Sequence, residues 1–400
     1  MMRHGALALG GGVLAAAIVF ASRPLGVAGL GLLLAALLAR AFVRGASGPV
    51  DVRTTVVPNP ATEGDSVTLR IDARRRSRFA FGSAVVVGAL DEIGSYECRL
   101  RGRAGRLVGE AKLGRLPRGR YEGLDGRFEV RDPLGLEVRS HPLGSPVTAV
   151  VHPRLVELTT LFDDSGRTFG DGRRLLLRRP AGYDFHSVRE YEQGESLRRV
   201  HWPTTARRGE LMVKELIDSP RESLVVVLDC DPAGAAGTPP RSSFDTAVRA
   251  AGSLVRAHVA RGRQAALVTT TDGDSVTCSA SLEGEFHSVL GALAAVRPNA
   301  SHDLARFLVQ PPRVVDHALE LVFVTATQSL VAATRLLDLA GRRPVSVVWI
   351  DAPSFAGRPT RAVPAVLRLS AAGLRVAVVR RGNDLASVLE AQRGEGLASG

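Results

Sequence analysis

Lysine is almost missing. Of 52 basic residues only Lys112 and Lys214 are lysines, and the rest are arginines spread along the whole chain. The formal net charge is +12. A basic surface can serve nucleic acid, an anionic membrane face or acidic partners. No base-reading motif accompanies the charge, and a genome rich in Arg codons gives the same scatter, so no nucleic-acid partner is expected. Cysteine is scarce as well: Cys98, Cys230 and Cys278 are far apart and form no Cys-x-x-Cys pair, which excludes a zinc ribbon or dithiol redox motif. Buried free thiols in a reducing compartment are expected. Aromatic residues make up 5%, with Trp202 and Trp349 the two tryptophans. A Gly-x-x-x-x-Gly-Lys-Ser/Thr phosphate loop, a Gly-x-Ser-x-Gly elbow and a His-Glu-x-x-His pair are all absent from the sequence.

Long apolar runs, by contrast, are present. Residues 5–21 and 25–39 are uncharged and apolar, with Ser22-Arg23-Pro24 between them. A span needs about 20 apolar residues, with a lower limit near 17. The two runs predict a transmembrane helical hairpin over residues 1–44 with Pro24 in the turn. A cleaved signal peptide is the alternative, but the second run comes at once after the first and Arg-Pro is a poor cleavage context. Arg3 lies at one end and Arg40, Arg44 and Arg53 at the other, with only Arg23 in the turn. The positive-inside bias therefore places a cell-membrane anchor with cytoplasmic soluble domains.

Residues 45–152 read as a small all-β, sandwich-like domain. Val67, Leu69 and Ile71 alternate with polar residues. Further strands are expected at 84–90, 95–101, 106–113, 127–131 and 147–151, punctuated by Gly and Pro. Residues 153–181 mix Asp with Arg and Gly and read as a solvated linker. From 223 to 400 the pattern alternates strands with helices. Strands are expected at 223–229, 264–270, 319–325, 345–350 and 374–379. Helices are expected after Ser242, over 283–296, near 303–309, over 330–340 and near 384–392. That alternation means an α/β domain, a parallel sheet wrapped by helices.

Residues 182–222 are the most distinctive stretch. Arg189, Arg198, Arg199, Arg207 and Arg208 sit among Asp184, Glu190, Glu192, Glu195, Glu210 and Glu215. Guanidinium forks match carboxylates bidentately, so the stretch is expected to form a polar girdle joining the β domain to the α/β domain. His201 is expected to be hydrogen-bonded within it and Trp202 to be a packing anchor, with Pro203 opening a short helix. An acid/base cluster of His201, Glu190 and Tyr191 is the enzymatic alternative, unsupported by any nucleophile or cofactor motif.

Strand ends are where open α/β sheets bind ligands. The first α/β strand ends in Asp229-Cys230-Asp231-Pro232-Ala233. Hydroxyls two and four positions after the Asp would surround a divalent cation with oxygens; here those positions are Asp231 and Ala233. The expectation is therefore no metal and no cofactor, with a degenerate site at Asp229 and Asp231. A cation-dependent adhesion module using Asp229 is the alternative.

The central stretch also resembles a family. Gly182, Phe185, Arg189, Glu190, Tyr191, Gly194, Arg198, Trp202, Ala206, Arg207, Gly209, Leu211, Val213, Lys214 and Glu215 match, in spacing, the signature of the bacterial domain of unknown function 58 (DUF58) family. Arg118-Gly119-Arg120-Tyr121 and Arg131-Asp132-Pro133-Leu134-Gly135-Leu136 resemble its upstream segment. The resemblance implies a membrane-anchored, non-enzymatic scaffold or adaptor with a von Willebrand factor A-like (Rossmann-like) domain after the signature. It implies protein partners, such as a MoxR-type AAA+ ATPase and transglutaminase-like membrane proteins, in protein assembly or envelope maturation. The binding residues it carries over are Arg189, Glu190, Tyr191, Gly194, Arg198, His201, Trp202, Arg207 and Lys214. Neither resemblance nor composition fixes the oligomeric state.

Overall fold

The computed structural model describes residues 5–46, 50–75, 83–90, 93–103, 105–143, 147–160, 162, 183–190, 200, 202–218, 224–271, 277–280 and 284–390. The chain divides into two compact units, Met1–Arg154 and Leu155–Gly400.

The first unit begins with helices α1 (Gly5–Val19) and α2 (Arg23–Ala46). At 1.5 Å per residue, α2 runs about 36 Å and α1 about 22 Å, against a hydrocarbon core of about 30 Å. Among the described residues only α2 is thus long and apolar enough to cross a membrane. The turn between them is Phe20–Ser22, with Ala21 at φ 47°. Pro24 lies inside the first turn of α2, where its missing N–H leaves no hydrogen bond unmade. The helices touch through glycine: a Cβ on Gly29 would lie 2.8 Å from the Leu14 amide, and one on Gly10 would lie 3.0 Å from the Leu33 side chain.

Nine strands come next: β1 (Val50–Val57), β2 (Ala61–Thr62), β3 (Ser66–Arg75), β4 (Ser83–Leu90), β5 (Gly94–Arg103), β6 (Arg106–Arg115), β7 (Gly119–Arg131), β8 (Val138–Pro142) and β9 (Thr148–His152). They form one continuous path, β1-β3-β6-β5-β4-β7-β9-β2, with β8 also on β7. Every pairing is antiparallel except β2 with β9. The sequence predicts a sandwich; the strands instead make one curled sheet with two apolar clusters. The larger gathers Leu69, Ile71, Val86, Cys98, Phe128 and Val130, and Phe42 of α2 packs against it. The smaller gathers Val67, Leu116, Tyr121 and Val151. Periodicity misses β2 and β8 because both are short and mostly polar.

The second unit opens with a two-stranded antiparallel ribbon, β10 (Tyr183–Glu190) and β11 (Met212–Asp218), spanned by helix α3 (Trp202–Arg208). A six-stranded sheet comes after it. Its elements are β12 (Leu224–Leu228), α4 (Ser243–Val259), β13 (Ala265–Thr269), β14 (Thr277–Ala280), α5 (Phe286–Ala295), β15 (Leu321–Thr325), α6 (Leu330–Ala340), β16 (Val345–Ile350), α7 (Pro364–Ala371), β17 (Arg375–Val379) and α8 (Leu385–Glu390). The order is β14-β13-β12-β15-β16-β17, parallel except for β14 at one edge. Counting from β12 as the first strand, this is the 3-2-1-4-5-6 order of doubly wound sheets, with the third strand reversed.

The residues explain the layering. Leu-Val-Val-Val-Leu of β12 is buried throughout. Leu224, Val226 and Leu228 face one core, with Phe244, Val248, Ala251 and Val255 of α4. Val225 and Val227 face the other, with Ala332 and Leu336 of α6 and Leu369 of α7. Such two-sided burial requires helices on both faces. Helix α4 starts at Ser242, whose Oγ accepts the Asp245 amide at 3.0 Å. Leu155–Leu158 lie along α4: the Val156 amide donates to Ser253 Oγ at 3.0 Å, and Arg261 donates to the Leu158 carbonyl at 3.2 Å.

Candidate functional site

The chain order reverses at β12, with β13 on one side and β15 on the other. Loops leaving β12 and β15 therefore diverge and leave a crevice outside the strand ends. A cavity of about 560 Å³ occupies that place, floored by Asp229 and Thr325 and walled by Phe244, Ile350 and Pro353. Asp231, Ser243, Thr327, Gln328 and Arg358 supply its polar groups.

Asp229 is the next residue after β12 and is buried. Three elements converge on its carboxyl group. Thr325 Oγ1 donates to Oδ2 at 2.5 Å, the Asp231 amide donates to Oδ1 at 3.2 Å, and Thr270 Oγ1 approaches Oδ1 at 3.4 Å. The two threonines are themselves held: the Thr327 amide donates to Thr325 Oγ1 at 3.0 Å, and the Cys230 amide donates to Thr270 Oγ1 at 2.8 Å. Burial pushes the Asp229 carboxyl above the usual range, and the hydrogen bonds from Thr325, Asp231 and Thr270 oppose that shift. The carboxyl is thus a pin tying the loops after β12, β13 and β15.

Asp231 turns away into local structure. Its Oδ1 accepts the Ala233 amide at 2.8 Å and caps the turn Pro232–Gly234. That turn fits closely against the loop after β15, since a Cβ on Gly234 would lie 2.8 Å from Ala326 Cβ. Ser243 Oγ fastens its far side, donating to the Gly234 carbonyl and accepting from the Ala236 amide, each at 2.8 Å. Beyond β16, Asp351 is also buried and takes Thr360 Oγ1 at 2.5 Å. Among the described residues no group of three or more His, Cys, Asp or Glu is placed to hold a metal ion.

The sequence-derived signature residues are only partly described. Arg189 and Glu190 lie in β10 and Lys214 in β11, where Val188 pairs with Lys214, Arg189 with Val213 and Glu190 with Met212. Tyr191, Gly194, Arg198 and His201 fall outside the described residues. Helix α3 contains Pro203 in its first turn, as expected. It ends at Gly209, whose φ of 76° suits glycine, and whose amide returns to the Thr205 carbonyl at 2.9 Å. Thr205 Oγ1 then accepts the Met212 amide at 3.0 Å, and Met212 is fully buried. Trp202 departs from expectation: it is 64% exposed, not a packing anchor. In a helix of seven residues, Thr204 and Thr205 are the half-buried positions, so the indole projects elsewhere. Arg207, Arg208 and Glu210 are exposed too. The residues that sequence reasoning missed are Thr270 and Thr325, which lie 41 and 96 positions from Asp229 and have no local motif.

The sequence of this unit matches a known family. Residues 187–340 fit the model described as "Protein of unknown function DUF58". The matched segment runs from β10 through α6, so it includes Asp229, Thr270 and Thr325 but not the Pro353 and Arg358 side of the cavity. A curated relative, "Uncharacterized protein YeaD" of Bacillus subtilis (strain 168), is 22% identical over 253 residues. The alignment covers 61% of this chain and 62% of that protein, so the chain spans less than two thirds of the relative's length. Two solved structures match weakly. The Pseudomonas fluorescens alkylpurine DNA glycosylase AlkC, bound to DNA with an abasic site analog, is 16% identical over 32% of this chain and 39% of its own, with a TM-score of 0.19. Cwp6 from Clostridium difficile is 12% identical over 82% of this chain and 49% of its own, also with a TM-score of 0.19. Scores this low carry no weight for fold or function.

Proposed function

We propose that this chain is a DUF58-family, membrane-anchored, non-enzymatic scaffold whose α/β unit receives a protein partner at its strand ends. The single observation that carries the reading is the crevice at the β12/β15 switch point. It is open and lined by small residues, and its one buried carboxyl is spent on holding loops together. A site so built offers shape and a few polar contacts, which suits docking better than bond-making. The von Willebrand factor A-like assignment is supported by the 3-2-1-4-5-6 order, the reversed third strand and the Asp at the end of the first strand. Ala233 and Asp231 replace the hydroxyls a cation would need, so docking through a bound metal is not part of the proposal. Anchoring is supported by α2, and α1 packed along it completes a two-helix hairpin. The soluble units then lie on the cytoplasmic side, where a MoxR-type AAA+ ATPase and transglutaminase-like membrane proteins are the proposed partners in envelope maturation.

Crosslinking in native membranes followed by capture of tagged full-length protein tests the reading. Ala233 is exposed at the cavity wall, so Ala233→Trp fills the crevice without disturbing the core. Recovery of the ATPase with wild type and its loss with Ala233→Trp are expected. Equal recovery with both, or with neither, would remove the proposal.

A further inference from the structure

The positive charge is not shared evenly. Residues 1–154 hold 22 Lys and Arg against 13 Asp and Glu, so nine of the twelve net charges lie in the unit that carries α2. Charge asymmetry of this kind points to a surface partner. Within the unit, the pairing registers collect arginines at one end of the sheet. β1 begins at Val50, four residues after α2 ends at Ala46, a reach of at most about 14 Å. Val50 pairs with Arg75, Arg74 with Arg106, and Arg103 with Arg106. Neighbouring strands lie about 4.8 Å apart, so these positions crowd the sheet end at which the chain leaves α2. Arg101 and Arg139 come slightly further along the strands from that end, opposite Val108 and Val130. Phe42, packed against the larger core of the sheet, and buried Val43 fasten the last turns of α2 to this unit.

Asp72 is the acid best placed to neutralise that end. It takes Arg106 at 2.6 Å and lies 3.8 Å from Arg74. The Arg106 hydrogen bond holds the Asp72 carboxyl below the ordinary range, so Asp72 stays ionised and half-cancels the pair. Asp51 is likewise engaged with Arg53, at 3.8 Å. Arg44, Arg101 and Arg139 remain exposed and make no ion pair among the described residues.

We infer that this end of the curled sheet docks on the anionic phospholipid headgroups surrounding α2. The inference rests on the membrane anchor proposed above. It adds a partner, the lipid surface, and an orientation: the β1-start end lies on the bilayer, and the Arg115 end points away. The nine steps of β6 between Arg106 and Arg115 separate the two ends by about 30 Å, beyond the headgroup layer and several Debye lengths. Guanidinium groups near an anionic leaflet are attracted strongly at low salt and weakly at high salt.

The test uses full-length protein in lipid nanodiscs, in a Cys278→Ser background. A bimane is attached at Arg101→Cys or, as the distal control, at Arg115→Cys. Both native positions are exposed, while Cys98 and Cys230 are buried. Quenching by a headgroup-nitroxide lipid is measured in phosphatidylcholine discs and in discs also containing phosphatidylglycerol. Quenching at position 101 should exceed that at 115 and should rise about twofold or more with phosphatidylglycerol. The increase should disappear between about 0.05 M and about 0.5 M salt. Co-elution with the discs but equal quenching at the two positions, or indifference to headgroup charge, overturns the inference alone. A chain that does not co-elute with discs overturns the anchor and the inference together.

Discussion

Removing the Asp229 carboxyl should loosen the α/β unit by a predictable amount. In Asp229→Ala the half-buried Asp231 amide loses its acceptor, at a cost of about 1–3 kcal/mol for an unsatisfied donor. The Thr325 hydroxyl loses a short bond to a carboxyl but can rotate, and Thr270 loses a long one. The sum is about 2–4 kcal/mol, allowing for partial relaxation. Asp229→Asn keeps an Oδ1 for the Asp231 amide, and its amide can donate to Thr325 Oγ1. It should therefore lie within about 1 kcal/mol of wild type. Trp349 is buried on β16 and donates from Nε1 to the Thr327 carbonyl at 3.1 Å, so its fluorescence reports the pinned region. With exposed Trp202 replaced by Phe, urea unfolding read through Trp349 should show the Ala variant shifted down by roughly 1 M. The pH dependence comes from the sign of the shift. The native Asp229 holds its proton over a range where the unfolded chain has lost it. Its contribution therefore falls as pH rises from about 4 toward the native pKa and is constant above that. Asp229→Asn should lack that slope. An Ala variant within about 0.5 kcal/mol of wild type, or one no worse than Asn, refutes the pin.

Other predictions are separate. Gly234→Ala places a methyl 2.8 Å from Ala326 Cβ and should cost about 1–3 kcal/mol, with Gly234→Ala/Ala326→Gly recovering most of it in the same fluorescence assay. A Cβ on Gly26 would lie 3.9 Å from Ala17 Cβ, within disulfide range, so Ala17→Cys/Gly26→Cys should crosslink α1 to α2 on oxidation. Adding Gly29→Leu, which collides with the Leu14 backbone, should abolish that crosslink on a non-reducing gel. Glu390 accepts from the Thr159 amide and hydroxyl, and these bonds hold its carboxyl below the ordinary value. The tie is therefore complete above the ordinary Glu pKa and weakens as pH falls through the lowered one. Hydrogen exchange at Thr159 should speed up in that acid range for wild type and at all pH values for Glu390→Gln.

Much of the α/β unit was legible because its strands are short apolar runs, bounded by turns and too apolar for a one-sided sheet. Val345–Ile350 and Leu330–Ala340 appear where periodicity places them. β14 was not legible: Thr-Cys-Ser-Ala is four residues of mixed polarity at a sheet edge. Helix α7 was hidden because it opens on Pro364 after a Pro/Arg-rich stretch and offers only a modest apolar face. In the first unit, Phe42 and Val43 lie just past the second apolar run, yet Phe42 packs against the sheet's core and Val43 is buried. Only tertiary contact distinguishes those roles. At the site, Asp229 was visible as a strand-end acid. Its threonine donors were not, because their proximity arises from strand order rather than spacing. Trp202 misled for a related reason: apolar character argues for burial, but a single exposed indole on a short helix leaves no periodic trace.

The claim that the strand-end crevice docks a partner is tested most directly by equilibrium binding. Full-length protein in nanodiscs would be titrated with a purified MoxR-type ATPase from the same organism, using wild type, Ala233→Trp and Arg358→Glu. Saturable binding by wild type, weakened at least about tenfold by each substitution, is the predicted result. No binding, or the same affinity for all three, contradicts it.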